Sequence, residues 1–307
     1  MSINVRPAVH AVPHAVPHAE PHAEPPSAAA SAATVGLQTF GELLKAWRTR
    51  RRYSQLGLAA ETGVSQRHLS FLESGRSSPS RPMVLQLAKV LHLPLRERND
   101  LLMAAGFAPL YPERALGDDS MEAIREALSS TLQHHEPYPA LVVDRHWNVV
   151  MHNAAVDRLI GLLGDPARVW KTVDPSGRRN LMRLTLHPRG LQPLVADWPD
   201  TAGALLMRLN AEVQANPADS ALQSLLSDLR TLPGVPSAWP PGSAVATMQV
   251  PVLTLKLRQG AASLEFFSMV CTFGTALDLT ADELRLELLF PCNDETARFL
   301  RESSAGR

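Results

Sequence analysis

The stretch "GVSQRHLSFLESGR", residues 63–76, encodes a short helix whose two sides differ in an uncommon way. At about 100° per residue, Leu69 and Leu72 point to one side of this helix, and Val64 leads in beside them. The opposite side is polar but carries little charge, and it consists of Gln66, Arg67, Ser70 and Ser74, with Phe71 at its edge. A helix face that only meets solvent would more often carry Glu and Lys. This face therefore indicates a specific polar partner.

A second short helix and a tight turn precede this stretch. Ser54 is positioned to cap the start of "SQLGLAAET", and Gly63 is positioned to end it as a C-terminal glycine. The turn "TGVS" then sets the next helix, capped by Ser65, at a steep angle, which is the helix-turn-helix arrangement. Gln and Arg side chains pair with adenine and guanine edges, and the major groove, about 12 Å wide, admits one helix. The segment therefore predicts a helix that presents its polar side to DNA.

The flanking sequence predicts three more helices and a small helical bundle. Apolar residues recur at i, i+3, i+4 and i+7 in "FGELLKAWRTRR" and in "PSRPMVLQLAKVLHL", and "LRERNDLLMAAG" completes the set. The two apolar stripes consist of Phe40, Leu43, Leu44 and Trp47 in the first segment and of Val84, Leu87, Ala88 and Leu91 in the second. We therefore predict an all-α domain of five helices over residues 39–106.

The charge of the chain is uneven although its 30 Lys and Arg balance its 30 Asp and Glu. Residues 40–105 hold eleven Lys and Arg against five Asp and Glu, whereas residues 106–307 hold eighteen against twenty-three. The predicted helical domain is therefore basic, as expected for a domain that binds nucleic acid. Within it, the run "RTRRR", Arg48–Arg52, is either a solvated helix C-terminus that suits the helix dipole or a set of phosphate contacts, with Arg76 and Arg81 also in reach.

The segment "SQLGLAAETGVSQRHLSFLESGRSSPSR" resembles the helix-turn-helix of the XRE, or lambda-repressor-like, family. The shared features are Ser-Gln opening one helix, Gly-Val-Ser at the turn, then Leu-Ser-x-Leu-Glu-x-Gly and a proline. The resemblance implies that Gln55 meets a backbone phosphate and that the base-facing residues are Ser65, Gln66, Arg67 and Phe71, with Ser70 assisting. At Phe71, where the family often has a polar residue, two roles stay open. They are contact with a thymine methyl group and packing against neighbouring side chains.

The remainder of the chain predicts a mixed α+β domain. Residues 107–136 indicate a connector and one helix, and residues 137–303 hold short strands at both ends around a helical middle. Two of these strands lie in "YPALVVDRHWNVVMHNAA", on either side of a turn. In "LRLELLF", leucines alternate with Arg285 and Glu287, which predicts a strand with one buried and one solvated face. We therefore predict that these strands form an antiparallel sheet.

Four segments of the chain resemble the MmyB-like regulators, in which an XRE module precedes a PAS-like ligand-binding domain. They are "LRERNDLLMAAGFAPLY", "HEPYPALVVDRHWNVVMHNAA", "RLTLHPRGLQP" and "FFSMVCTFGTALDLTADELRLELLFPCND". The resemblance implies a small ligand, with fatty acids proposed for the family, and we expect no cofactor. A set of apolar residues with a few polar neighbours either lines a ligand cavity or only forms a packed core: Met151, Asn153, Leu159, Met182, Arg183, Phe266 and Met269.

Residues 1–38 form a Pro/Ala/His tract that we expect to be disordered, because proline recurs too often for a helix. Four of its histidines recur every four residues, but an unfolded chain gives them no fixed geometry, so we expect no metal site from His10, His14, His18 and His22. The two cysteines are too few for a disulfide framework, and we expect both to be reduced. We expect Cys271 to be buried and inert, and Cys292 to be either inert or a redox switch.

Several functional classes lack their sequence signals. No apolar run approaches the roughly 18 residues that a membrane helix needs, and the N-terminus lacks the layout of a secretory signal, so we expect a cytoplasmic protein without membrane insertion. No His-Glu-x-x-His motif, phosphate loop or Gly-x-Ser-x-Gly elbow occurs, so we expect no enzymatic activity. The sequence thus predicts a DNA-binding transcriptional regulator that acts as a homodimer and senses a small apolar effector. The alternatives are a protein-interaction module that does not bind DNA specifically and a metal or redox sensor.

Overall fold

A computed structural model describes residues 38–236, 254–260 and 262–305, and Thr39–Arg307 forms one compact unit. The tail expected over residues 1–38 lies, apart from Gln38, outside the described residues, as do its histidines. Within the described ranges, no helix is both long and apolar enough to pass through a lipid bilayer.

Five helices form the N-terminal bundle, as predicted. They are α1 Phe40–Arg50, α2 Gln55–Thr62, α3 Gln66–Glu73, α4 Arg81–Val90 and α5 Leu95–Ala104. One apolar cluster joins them, and its most deeply buried leucines are Leu44, Leu58, Leu69, Leu72, Leu87, Leu91, Leu93, Leu101 and Leu102. Together with Leu69 and Leu72, the apolar stripes seen in the sequence supply more than half of the buried residues in this cluster, so helical periodicity located much of the core.

Local sequence fixes where the first three helices begin and end. Thr39 and Glu42 form a capping box at the start of α1, and Ser54 and Ser65 cap α2 and α3 by accepting hydrogen bonds from backbone N–H groups. Gly63 ends α2 in the left-handed region at φ 64°, where a side chain would add strain. The turn between α2 and α3 therefore depends on the same residues that predicted it.

The first helix approaches the end of the third so closely that only glycine fits at position 41. A Cβ atom on Gly41 would lie 2.5 Å from the carbonyl oxygen of Glu73 and 2.8 Å from that of Leu72. Both obstacles are backbone atoms, which cannot rotate away as the end of a flexible side chain can. This close approach holds the C-terminal end of α3 against α1.

The C-terminal half combines further helices with a five-stranded sheet. The helices are α6 Glu122–His134, α7 Ala154–Ile160, α8 Pro166–Val173, α9 Leu181–Leu186, α10 Trp198–Ala215, α11 Ser220–Arg230, α12 Leu279–Glu283 and α13 Asp294–Ala305. The strands are β1 Ala140–Val143, β2 Val149–His152, β3 Thr254–Gln259, β4 Ala262–Cys271 and β5 Arg285–Pro291. They pair in the order β2-β1-β5-β4-β3, and every pair is antiparallel, as predicted.

Helices cover both faces of the sheet, which overturns one prediction about β5. On one face, Leu286 packs with Leu128 and Leu132 of α6. On the other face, Glu287 is only 7% exposed and Arg285 is half-buried, so the predicted solvated face does not exist. The reason is that α10 lies over this face and supplies ion-pair partners to both charged side chains.

The prediction that Cys271 is buried is wrong, because this residue ends the exposed last part of β4. Within the described residues, β3 pairs with β4 only as far as Phe267, so the end of β4 extends beyond that pairing. Cys292 is exposed as well, and the partial burial of its thiol, together with the nearby Glu265 carboxylate, raises its pKa. A raised pKa lowers the thiolate fraction, which disfavours a redox role for Cys292.

We expect Gly41→Ala to lower the free energy of unfolding by about 1–3 kcal/mol, the usual cost of forcing extra atoms into a packed core. The new methyl group meets the Glu73 and Leu72 carbonyl groups and must push α1 and α3 apart. Chemical denaturation of the purified protein measures the change.

Gly203→Ala in α10 is the matched control, because among the described residues a Cβ atom there meets no atom within 4 Å outside the backbone of its own helix. That variant should stabilise the protein by about 0.5–1 kcal/mol, since alanine favours the helix over glycine. A Gly41→Ala protein as stable as this control would contradict the close approach of the two helices.

Candidate nucleic-acid interface and ligand cavity

The polar face of α3 is open to solvent. Ser65, Gln66 and Arg67 are exposed at the start of the helix, while Leu69 and Leu72 are completely buried beneath it. The two leucines fix the rotation of the helix about its axis, so the hydroxyl, amide and guanidinium groups point outward together. Groups of this kind can read base edges in a major groove.

Phe71 packs against Arg67, which lies four residues earlier on the same helix. The Arg67 Cζ atom is 5.3 Å from the centre of the Phe71 ring, within the range of a cation–π contact. Phe71 and Ser70 are both half-buried. Of the two roles left open for Phe71, packing against a neighbouring side chain is present in the structure, and it restrains the Arg67 guanidinium on the exposed face.

Arg48 takes neither of the roles predicted for the basic run, because its guanidinium is held inside the bundle. Its Nε and Nη2 atoms donate to the Glu73 carboxylate at 2.5 and 3.1 Å, and its Nη1 donates to the Tyr53 carbonyl oxygen at 2.8 Å. The Gln55 amide donates to the same carboxylate at 2.8 Å. Burial raises the pKa of the Glu73 carboxyl, but the hydrogen bonds from Arg48 and Gln55 outweigh burial and leave that pKa lowered. This cluster ties α1 and α2 to the end of α3.

The rest of the basic run is divided between internal contacts and solvent. Arg50 donates to the Ala215 carbonyl oxygen at 2.7 Å, and Arg51 donates to the His92 carbonyl oxygen at 3.0 Å. These two arginines therefore join the bundle to α10 and to the end of α4. The exposed arginines of the bundle also include Arg52, Arg76 and Arg81.

A cavity of about 140 Å³ lies between the sheet and helices α9 and α10. Its described lining is rich in leucine, includes Met182, Phe266 and Trp147, and has two charged members, Arg208 and Glu287. A few polar groups in an apolar lining are the usual composition of a small-molecule site. In the described part of the chain, no group of three or more His, Cys, Asp or Glu side chains could hold a metal ion, there or elsewhere.

Four charged side chains and Trp147 form a network beside this cavity. Trp147 Nε1 donates to the Glu212 carboxylate at 2.8 Å, and Arg285 donates to the same carboxylate at 2.6 Å. The guanidinium carbons of Arg208 and Arg285 each lie 4.3 Å from the centre of the Trp147 ring. Arg208 Nη1 is 3.2 Å from Glu287 Oε1. Burial raises the pKa of the Glu287 carboxyl, and the charges of Arg208 and Arg285 offset this rise only in part.

The cavity contains two of the seven residues predicted to line it, Met182 and Phe266. Met151 packs on the α6 side of the sheet, and Met269 is 51% exposed. Leu159 packs in a neighbouring apolar cluster that shares Phe266. The sequence pattern does not reveal where the helices leave the cavity, so it could not separate these three residues from those that line it.

The two polar candidates make other contacts. Asn153 is buried, and its amide donates to the Tyr138 carbonyl oxygen at 2.8 Å and accepts from the Ala140 N–H at 3.0 Å. Arg183 donates to Asp228 at 2.5 Å, away from the cavity lining. The lining residues that the sequence analysis missed include Trp147, Arg208 and Glu287. The sequence did contain a signal for Glu287. This residue alternates with leucines along β5, which places it on the strand face opposite the leucines that contact α6.

A short turn connects the cavity with the helical bundle. Trp147, which lines the cavity, has a left-handed backbone at φ 68°, a conformation that is costly for a large side chain. Two residues earlier, Arg145 lies 3.4 Å from Glu283 at the end of α12. Glu283 also accepts hydrogen bonds from Arg96 of α5 at 2.7 and 2.9 Å. The turn that forms part of the cavity wall is therefore joined to the bundle by ion pairs.

Comparisons with known families and proteins match both halves of the chain. Residues 124–302 match the family described as MmyB-like transcription regulator ligand binding domain, and residues 44–98 match a helix-turn-helix family. Similar proteins include uncharacterized HTH-type transcriptional regulators of Mycobacterium bovis and Mycobacterium tuberculosis, each 26% identical over 62% of this chain and 80% of its own. A putative HTH-type transcriptional regulatory protein of Methanoculleus marisnigri is 29% identical over 43% of this chain and 44% of its own.

A solved structure of an RNA-binding light-oxygen-voltage receptor aligns with 89% of this chain and 64% of its own, at 12% identity and a TM-score of 0.24. A score this low carries no information about a shared fold.

The resemblances to the XRE and MmyB-like families are confirmed by the two family matches. Because the ligand-binding match spans more than half of the chain, the protein belongs to the MmyB-like family of transcription regulators, with a helix-turn-helix region followed by a ligand-binding domain.

Proposed function

We propose that α3 enters the major groove of DNA and reads bases with its exposed polar face. The observation that carries this proposal is the combination of two fully buried leucines, Leu69 and Leu72, with an open row formed by Ser65, Gln66 and Arg67. Gln makes a bidentate contact with adenine and Arg makes one with guanine, so these two side chains supply most of the specificity.

The other proposed DNA contacts surround this row. Ser70 and Phe71 lie at its edge, and Phe71 acts mainly by holding Arg67. The proposed phosphate contacts are Gln55, Arg76 and Arg81, of which the two arginines are exposed. Gln55 already donates one hydrogen bond to Glu73, and an amide group has two N–H donors, so the second one serves the phosphate.

The protein acts on DNA as a homodimer in this proposal. Two copies of α3 separated by about 34 Å enter successive major grooves on one side of the duplex. The operator is then a two-fold symmetric sequence, and a modest change in the separation of the two helices changes affinity. A DNA partner also favours the cytoplasmic location expected from the sequence.

The effector in this proposal is a small apolar molecule of the fatty-acid type, bound in the cavity beneath the sheet. The leucine-rich lining supports an apolar body for this ligand, because each buried CH₂ group stabilises a complex by about 0.8 kcal/mol. Met182 and Phe266 also support an apolar ligand. Both side chains are apolar, and methionine adapts to apolar guests of varied shape.

The turn that carries Trp147 is the proposed route from the cavity to DNA. A ligand that shifts Trp147 also shifts Arg145, which is paired with Glu283. Glu283 in turn holds Arg96 of α5 in the helical bundle. Binding in the cavity thereby alters the spacing or rigidity of the two DNA-binding bundles of the dimer.

Gln66→Ala and Arg67→Ala should each weaken binding to the operator by about 1–3 kcal/mol, because each substitution removes one bidentate base contact. The operator is obtained by selection on genomic fragments, starting with the promoters of the protein's own gene and of the adjacent gene. Mobility-shift titrations on the operator and on a scrambled duplex measure the specific and the non-specific affinity. The specific affinity should fall and the non-specific affinity should change little.

Arg76→Ala is the matched control, because it removes a proposed phosphate contact instead of a base contact. It should weaken binding to both duplexes alike and reduce the slope of log affinity against log salt by about 0.9. Unchanged operator affinity in the Gln66 and Arg67 variants would refute the proposed interface and favour a docking bundle that does not bind DNA specifically.

Glu283→Gln should uncouple the cavity from DNA binding, because it removes the negative charge shared by Arg145 and Arg96. We expect decanoate to change the operator affinity of the unaltered protein by about 5- to 150-fold, the usual range of allosteric coupling, and that of the variant far less. DNA-binding titrations with and without decanoate measure both. Glu122→Gln, which breaks the ion pair with Arg125 in the same half of the chain, is the control. Equal coupling in all three proteins would contradict the proposed route.

A further inference from the structure

The described lining of the cavity has two charged side chains, Arg208 and Glu287, that can recognise the polar end of a ligand. We propose that the carboxylate head of the fatty-acid-type effector binds at Arg208 and Glu287, and that binding draws one proton from solvent into this pair. The inference rests on the proposed function, in which an apolar effector occupies the cavity, and it adds the residues and the proton that recognise the ligand's polar end.

The two charged side chains of the described lining meet at one place. Arg208 Nη1 is 3.2 Å from Glu287 Oε1, and Glu287 is buried. The other described lining residues have apolar, aromatic or hydroxyl-bearing side chains. An amphiphile that keeps its chain against the apolar walls therefore brings its polar head to Arg208 and Glu287.

The charges around this point are already balanced. Arg208 and Glu212 come from α10, and Arg285 and Glu287 come from β5, so two cations face two carboxylates. Glu212 has fixed partners, because it accepts hydrogen bonds from Trp147 and Arg285. A third carboxylate would leave one uncompensated negative charge beside the buried Glu287, and such a charge is costly.

A proton removes this excess charge, and Glu287 is the residue that takes it. Burial already raises the pKa of its carboxyl, and Glu212 acts in the same direction against Arg208 and Arg285. A ligand carboxylate at hydrogen-bond distance raises that pKa further, because two adjacent carboxylates share one proton. The protonated Glu287 then donates a hydrogen bond to the ligand, and Arg208 donates to the same carboxylate. One solvent proton is taken up for each anion bound.

Proton uptake distinguishes this head group from a neutral one. We expect calorimetric titrations of the full chain over a series of pH values, in buffers with different enthalpies of ionisation, to reach a maximum close to one proton per octanoate and to stay close to none per 1-octanol. As the pH rises through the pKa of Glu287, the Kd for octanoate should increase by up to roughly tenfold per pH unit, while the Kd for 1-octanol stays level.

Glu287→Gln tests the residue itself, because glutamine keeps the size of glutamate and can donate a hydrogen bond without titrating. At pH values where Glu287 is ionised in the unaltered protein, this variant should bind octanoate more tightly, and it should lose both the proton uptake and the pH dependence. Glu295→Gln, an exposed Glu→Gln change on α13, is the matched control and should leave both properties intact. Arg208→Gln should weaken octanoate binding by roughly tenfold or more and change 1-octanol binding little.

The possible outcomes separate this inference from the proposed effector site. Equal proton counts for octanoate and 1-octanol would overturn the proton-coupled recognition of the head group and leave the effector site intact. Persistence of the octanoate pH dependence in Glu287→Gln would assign the proton to another group and overturn the role of Glu287. Failure of both ligands to bind would contradict the effector site itself, and this inference with it. The titration of the unaltered protein needs no variant, so it tests the proton-coupled recognition even if a variant does not fold.

Discussion

Burial of Leu69 and Leu72 beneath α3 is the contact on which the proposed DNA-binding surface depends. A helix of eight residues is too short to be stable alone in water, so packing against the rest of the bundle must hold it. Gly41 lets the backbone of α1 approach the end of this helix, and Arg48 binds Glu73 at the same end. Because its apolar side is fixed in this way, the helix cannot rotate about its axis, and its polar side faces solvent.

The ligand-binding half depends on the reverse arrangement, in which charged side chains face inward. Arg285 and Glu287 of β5 point towards α10, whose Arg208 and Glu212 neutralise them. Burying charges is costly unless they are paired, so the charged residues of α10 and of β5 stabilise each other in the packed structure. The network also borders the cavity through Trp147, which accounts for a polar end in an apolar site. Ion pairs continue from the same turn to α5, so the cavity wall is connected to the helical bundle.

The features predicted correctly from the sequence are those whose signals are local. Leucines at helical spacing located the five helices, and Ser54, Gly63 and Ser65 located the turn between α2 and α3, because caps and periodicity involve residues close together in the chain. The antiparallel sheet also followed from short strands with turn signals between them.

The features that were missed involve residues far apart in the chain. No local pattern pairs Arg48 with Glu73, and none shows that α10 covers the face of β5 that carries Glu287. The lack of a local signal for such distant contacts also explains why most of the predicted cavity residues lie outside the cavity. The location of a cavity depends on which face of the sheet the helices leave incompletely filled. Cys271 was expected to be buried, whereas the end of β4 extends past its pairing with β3 within the described residues.

Guanine methylation interference on the selected operator is the most direct test of the central claim that α3 reads DNA in the major groove. A methyl group on guanine N7 projects into the major groove, whereas one on adenine N3 projects into the minor groove. We predict that N7 methylation blocks binding at guanines in two half-sites whose centres are about 10 base pairs apart. Interference by adenine N3 methylation alone, or by neither modification, would contradict the claim.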